Sequence, residues 1–148
     1  MNFATSRYVG ILVLLGALYS ALSHAAPTES AIVVITSASS TEGAIPRSTL
    51  RAMFGMRLHK WGDGTPVKVY VFRDDNAEHV TFSKEVLQVF PHQLRQAWDR
   101  LVFSGLGQYP EQVSSGQEML SKVAATPGAI GYVQSSEVNQ YVRILQIR

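Results

Sequence analysis

Ala31 to Thr36 (AIVVIT) is a continuous apolar and β-branched run, closed by the hydroxyl-rich stretch Ser37 to Thr41. A run so short, with neither the period of an amphipathic helix nor the alternation of a half-buried strand, fits a strand covered on both faces. Strands of that kind sit in sheets with helices packed on each side, so the chain is expected to be of the α/β class.

The rest of the chain alternates in the same sense. Ile45-Pro46-Arg47-Ser48 leads into Thr49 to Phe54, where Leu50, Met53 and Phe54 share one helical face and Gly55 supplies a stop. Trp61 to Pro66 (WGDGTP) is a dense turn signal, and Val67 to Phe72 (VKVYVF) alternates as a second strand. From Ala77 the period is helical, with Val80, Phe82, Val86, Leu87 and Phe90 apolar, until Pro91 ends the run. Pro91 then opens a third helix that carries Leu94, Ala97, Trp98, Leu101 and Val102 down one face to Gly105. Ser115-Gly116-Gln117-Glu118 reads as a capping box, followed by a fourth helix through Met119, Leu120, Val123 and Ala124 that ends before Pro127-Gly128. Ala129 to Val133 and Tyr141 to Ile147 are two closing strands. The order β-α-β-α-α-α-β-β has no internal repeat, and it predicts one layered α/β unit.

The N-terminus has a different character. Arg7 precedes the uncharged stretch Tyr8 to Leu22, and Ser23-His24-Ala25 has the small residues at −3 and −1 that signal peptidase requires. Residues 1–25 are expected to be a secretory signal peptide, with a retained membrane anchor as the alternative, and residues 26–148 the mature domain of a periplasmic protein. No cysteine follows the apolar stretch, so lipid attachment of the lipoprotein type is not expected, and the whole chain lacks cysteine. Disulfide scaffolds, thiolate metal sites and thiol nucleophiles are thereby excluded together. The mature part carries 12 basic and 11 acidic residues, a balance without the cationic excess of a nucleic-acid binder.

Several strings combine into a resemblance: Leu50 to Gly55 (LRAMFG), Trp61 to Gly64 (WGDG), Val71-Phe72-Arg73, Phe103-Ser104-Gly105 and Thr126 to Val133 (TPGAIGYV). Together they resemble the phosphate-binding proteins of ABC importers, which have the type II periplasmic binding fold. The resemblance runs from about Ile32 to Tyr141 and implies a single lobe of that two-lobed fold, a central mixed sheet flanked by about four helices. A "TGAG" turn of the kind that forms the other lobe's anion loop does not occur in this sequence.

Within the lobe that is present, the family's anion loop reads Arg, Asp, Ser-Gly-Thr and then an aromatic residue that opens a helix. Arg73 and the helix start match by position, whereas the Ser-Gly-Thr triplet falls about Asn76-Ala77-Glu78 and does not match. Arg73 and Asn76 are the candidate anion ligands on this likeness. Asp74, Asp75 and Glu78 around one arginine leave a local charge near −2, which opposes an oxyanion. The alternative role of Asp74, Asp75 and Asn76 is to cap the helix that begins at Ala77.

Other candidates are Ser37 and Ser39, with Ser40 and Thr41, at the C-terminal end of the first strand, and Ser115 and Gly116 at a helix start. A solvated hydroxyl-rich turn is the favoured reading of the first group, and a plain helix cap explains the second fully. His59, His79 and His92 lack the spacing of a helical metal pair and read as surface residues, while Trp61, Trp98, Phe103 and Tyr132 read as packing residues. No catalytic constellation, metal site or cofactor motif is expected.

Two functions are compatible with these residues. One is a solute-binding-like domain that holds a small oxyanion such as phosphate weakly, in connection with an ABC permease. The other is an interaction module that docks a membrane sensor or pairs with a second copy, as a homodimer whose half-crevices face each other. Nucleic acid is not an expected partner.

Overall fold

The computed structural model describes residues 30–148, so the expected signal peptide lies outside the described residues. Five strands form the main sheet: β1 (Ile32–Ser37), β3 (Lys68–Val71), β4 (Glu111–Gln112), β5 (Ala129–Gln134) and β6 (Val142–Ile144). Their order is β4-β3-β5-β1-β6. β3 runs parallel to β4 and β5, whereas β1 runs antiparallel to β5 and β6, so the sheet is mixed. β2 (Ala44–Ile45) and β7 (Gln146–Ile147) form a separate parallel pair.

Four α-helices flank the sheet: α1 (Arg47–Phe54), α2 (Ala77–Thr81), α3 (Pro91–Phe103) and α4 (Gly116–Ala125). Two neighbouring residues of β5 show the layering, because consecutive side chains of a strand point to opposite faces. At Gly131 an added Cβ would collide with Met119 and Val123 of α4, so glycine lets this helix lie close on the sheet. On the other face Tyr132 stacks on Phe82 with ring centroids 3.8 Å apart and meets Phe54 and Phe72. Trp98 of α3 is wholly buried and donates its indole N–H to the Phe54 carbonyl at 2.7 Å. The expected central run is covered in its second half: Val34, Ile35, Thr36 and Ser37 are buried, whereas Ile32 and Val33 are half-buried and Ala31 is exposed.

Several expectations change. The helix from Ala77 becomes α-helical only to Thr81 and continues as a π-helical turn over Phe82–Leu87, ending at Gln88 in the left-handed region, φ 55°. Phe90 is extended, as the residue before a proline must be, so the helix has to end before it. The carbonyls freed at Val86 and Leu87 accept hydrogen bonds from Arg47 Nε at 3.0 Å and Arg51 Nε at 2.5 Å, two α1 residues. The expected closing strand Tyr141 to Ile147 is divided. At Leu145, which is buried and donates its N–H to the Val34 carbonyl, the chain leaves the edge of β1 and crosses to β2. Phe103 is not a packing residue; it is 83% exposed at the end of α3. His79 is not a surface residue; it is wholly buried.

The Trp61 and Pro127-Gly128 strings pack against each other. Trp61 donates its indole N–H to the Gly128 carbonyl at 2.9 Å. Gly128 has φ +74°, and a Cβ there would overlap the Pro66 carbonyl. This clasp fixes the start of β5 against the turn that precedes β3. Among the described residues, no helix is long and apolar enough to cross a membrane.

Candidate binding crevice

Ligand sites in open α/β sheets lie beyond the C-terminal ends of the parallel strands. Here that end is built by Phe72 to Asn76 after β3, Val113 to Ser115 after β4 and Ser135 to Glu137 after β5, with Gln134 as its last residue. Arg73, Asn76, Ser115 and Gly116 all lie at this end. Ser37 and Ser39 lie at the opposite end, because β1 is antiparallel to β5 and its C-terminus is level with the β5 N-terminus. Ser37 Oγ and Ser39 Oγ are within 2.9 Å of each other. The structure therefore divides the six candidate residues into two groups that cannot meet around one small ligand.

Each candidate at the crevice end has a partner within the chain. Arg73 Nε donates to Asp75 Oδ1 at 3.3 Å, and both side chains are largely exposed. Asn76 is the N-cap of α2: its Oδ1 accepts from the backbone N–H groups of Glu78 at 2.8 Å and His79 at 3.1 Å. Ser115 caps α4 by accepting from the Glu118 N–H at 3.1 Å. The reciprocal arm of the expected capping box is displaced by one residue, with Glu118 Oε2 accepting from the Ser114 N–H and hydroxyl. At Gly116 the Glu137 carboxylate packs so closely that a Cβ would overlap it.

Arg95 and Glu137, which the sequence did not mark, and His79, which it marked as a surface residue, complete the picture. Arg95 of α3 grips Asp74 with two hydrogen bonds, of 2.7 and 2.9 Å, and its guanidinium lies 5.0 Å from the Trp98 ring centroid. Its bond with Asp74 raises the Arg95 pKa further. Glu137 accepts from the Gln134 N–H and stands at the first turn of α4. His79 lies beneath, its Nδ1 2.6 Å from the Tyr132 hydroxyl, which also accepts the Phe72 N–H at 3.0 Å. The Tyr132 hydroxyl and His79 Nδ1 share one hydrogen bond, and His79 Nε2 has no hydrogen-bond partner among the described residues. Burial lowers the His79 pKa and raises that of Tyr132, so both are neutral at pH 7. Neither Arg95 nor Glu137 carries a sequence signal, since both depend on contacts that only the fold creates. The helical period of Ala77 to Phe90 puts His79 one residue from Val80, and the polar neighbourhood masked its burial.

Four carboxylates, Asp74, Asp75, Glu78 and Glu137, thus meet two guanidinium groups, Arg73 and Arg95, a formal balance of −2. The adjoining hollow of about 510 Å³ between the start of β1 and α2 is lined by Glu78 and Glu85 and by no cationic residue. Glu78 accepts from Gln134 at 3.2 Å, and desolvation raises its pKa, with Glu137 adding to the rise. Among the described residues no group of three or more His, Asp or Glu converges as a metal site.

No family model and no curated protein matches the sequence. Solved structures do match the fold. An ABC-type phosphate transport receptor from Vibrio cholerae superposes with TM-score 0.62 at 12% identity, covering 79% of this chain and 46% of its own. PstS from Borrelia burgdorferi gives 0.62 at 18% identity, over 80% and 47%. A Clostridium perfringens substrate-binding protein assigned to phosphate ABC transport, determined with bound phosphate, gives 0.62 at 15%, over 79% and 44%. The fold is thus shared with phosphate-transport binding proteins, and the chain spans less than half the length of each, the extent expected of one lobe.

Proposed function

We propose that this chain is a solute-binding-protein-like interaction module of the cell envelope, which meets a protein surface at its crevice end instead of trapping free phosphate there. The observation that carries the reading is that the donors at that end are already engaged within the chain. The backbone N–H groups of Glu78 and His79, both guanidinium groups and the Glu118 N–H in the first turn of α4 are each taken by acceptors of this chain. An oxyanion would have to displace carboxylates while facing a net negative field. A protein partner, in contrast, can supply cations to the exposed Asp75 and complementary acids to Arg73. The partners this reading favours are the extracytoplasmic part of a membrane sensor, a permease or a second copy of the chain. The leader pattern of residues 1–25 supports export.

Photo-crosslinking in intact cells tests the reading, with p-benzoylphenylalanine in place of Asp75 and, as a reference, of Lys84. A discrete adduct from position 75 and none from 84 is the expected outcome. Equal labelling at both, or none at either, contradicts it.

A second reading, weak anion binding, draws on one observation: Arg73 is exposed and its bond to Asp75 is a surface ion pair, cheap to break. Phosphate titrated into isotopically labelled protein would then shift the Asn76 to His79 amide resonances saturably, and Arg73→Ala would abolish the shift.

A further inference from the structure

A groove of about 350 Å³ runs between α1, the π-helical turn and α3, and it shares no residue with the crevice end. Its floor is apolar, formed by Leu87, Leu94, Ala97 and Leu101. Its rim is cationic: Arg51, Arg57 and Arg100 line it, and no acidic residue does. Arg51 is anchored to the Leu87 carbonyl and the Gln88 side chain. Arg57 and Arg100 are exposed and form no salt bridge among the described residues.

The apolar surface continues past the groove. Phe103 lies three residues beyond Arg100 on the same face of α3 and is 83% exposed. Leu106 is 77% exposed, and its N–H donates to the carbonyl of the groove residue Leu101 at 3.0 Å. An apolar floor with an arginine rim and exposed apolar side chains just beyond it has the composition of a protein-docking surface.

We propose that this groove binds an amphipathic helical segment of a protein partner, with apolar residues on one face and acidic residues on its flanks. The concave shape suits a helix laid into a groove, whereas a lipid surface would call for a convex apolar ridge. α3 has 13 residues and is about 20 Å long, so it matches some three to four turns of a bound helix. Three arginines without an acid among the lining residues select acidic flanks and disfavour a second copy, whose own groove would bring the same positive charge. The proposal is independent of whatever the crevice end binds.

Fluorescence anisotropy on the purified protein is the test. The probe is a labelled synthetic helix of about fifteen residues, with leucines on one face and glutamates flanking them. Saturable binding of this peptide is expected, at least about tenfold tighter than that of its glutamate-to-lysine counterpart. The double variant Arg57→Glu/Arg100→Glu should weaken it about tenfold or more with an unchanged thermal midpoint, because both residues are exposed. Phe103→Ser, which touches neither charge nor core, should weaken it about fivefold. Absence of binding, equal binding of both peptides, or full affinity in the double variant overturns the proposal. So does association with phosphatidylglycerol vesicles and not with the peptide.

Discussion

His79 and Tyr132 show how much a single buried pair constrains this fold. The tyrosine hydroxyl joins the backbone after β3 to the ring of His79, and both side chains are wholly buried. Tyr132→Phe leaves the Phe72 N–H and His79 Nδ1 without partners, at a cost of about 1 to 3 kcal/mol for each group, measurable by urea denaturation. The same pair gives a pH dependence. Desolvation depresses the folded-state pKa of His79 below the usual 6.5, with the neighbouring Asp74 charge opposing and Arg95 reinforcing the shift. The unfolded chain therefore takes up this proton first as pH falls. Stability from this group is complete above about pH 6.5 and declines below it towards the depressed folded value. Denaturation curves between pH 7.5 and about 5 should show that decline, and His79→Leu should flatten it. Asn76→Ala, which removes the α2 cap, should cost about 1 kcal/mol in the same assay.

Among the elements, those with a strong local signal were legible in the sequence and those made by tertiary contact were not. Pro91, the period of Leu94, Ala97 and Trp98, and the Ser115 cap mark α3 and α4 from local chemistry alone. β2 and β4 have two residues each, too few for any periodicity to register, and they exist because β7 and β3 lie beside them. The division of the last strand at Leu145 depends on where β2 sits. The candidate site divides in the same way. Asn76 and Ser115 are local caps and were readable as such, whereas the pairing of Asp74 with Arg95 spans 21 residues of sequence. That pair is about a third exposed on each side, so a double-mutant cycle of Asp74→Asn and Arg95→Gln should give a coupling of about 1 kcal/mol, falling as salt is added. Gly128→Ala should do greater harm, because it forces a side chain into the left-handed region and against the Pro66 carbonyl. A loss of about 2 kcal/mol or more in the unfolding free energy is expected.

At the scale of the whole molecule, the chain shares its fold with phosphate-transport binding proteins at identities of 12 to 18%, over less than half of their length. On this scaffold the chain makes its clasp from Trp61 to Gly128, while the end of the sheet where a ligand would lie carries four carboxylates. On the proposed reading, fold likeness and ligand capture separate in this molecule. The most direct measurement is a calorimetric titration of phosphate into the purified protein at neutral pH and low ionic strength, where an oxyanion site would be at its strongest. The account predicts no saturable heat up to about millimolar phosphate. Saturable heat with a dissociation constant near the micromolar range, lost in Arg73→Ala, would contradict it.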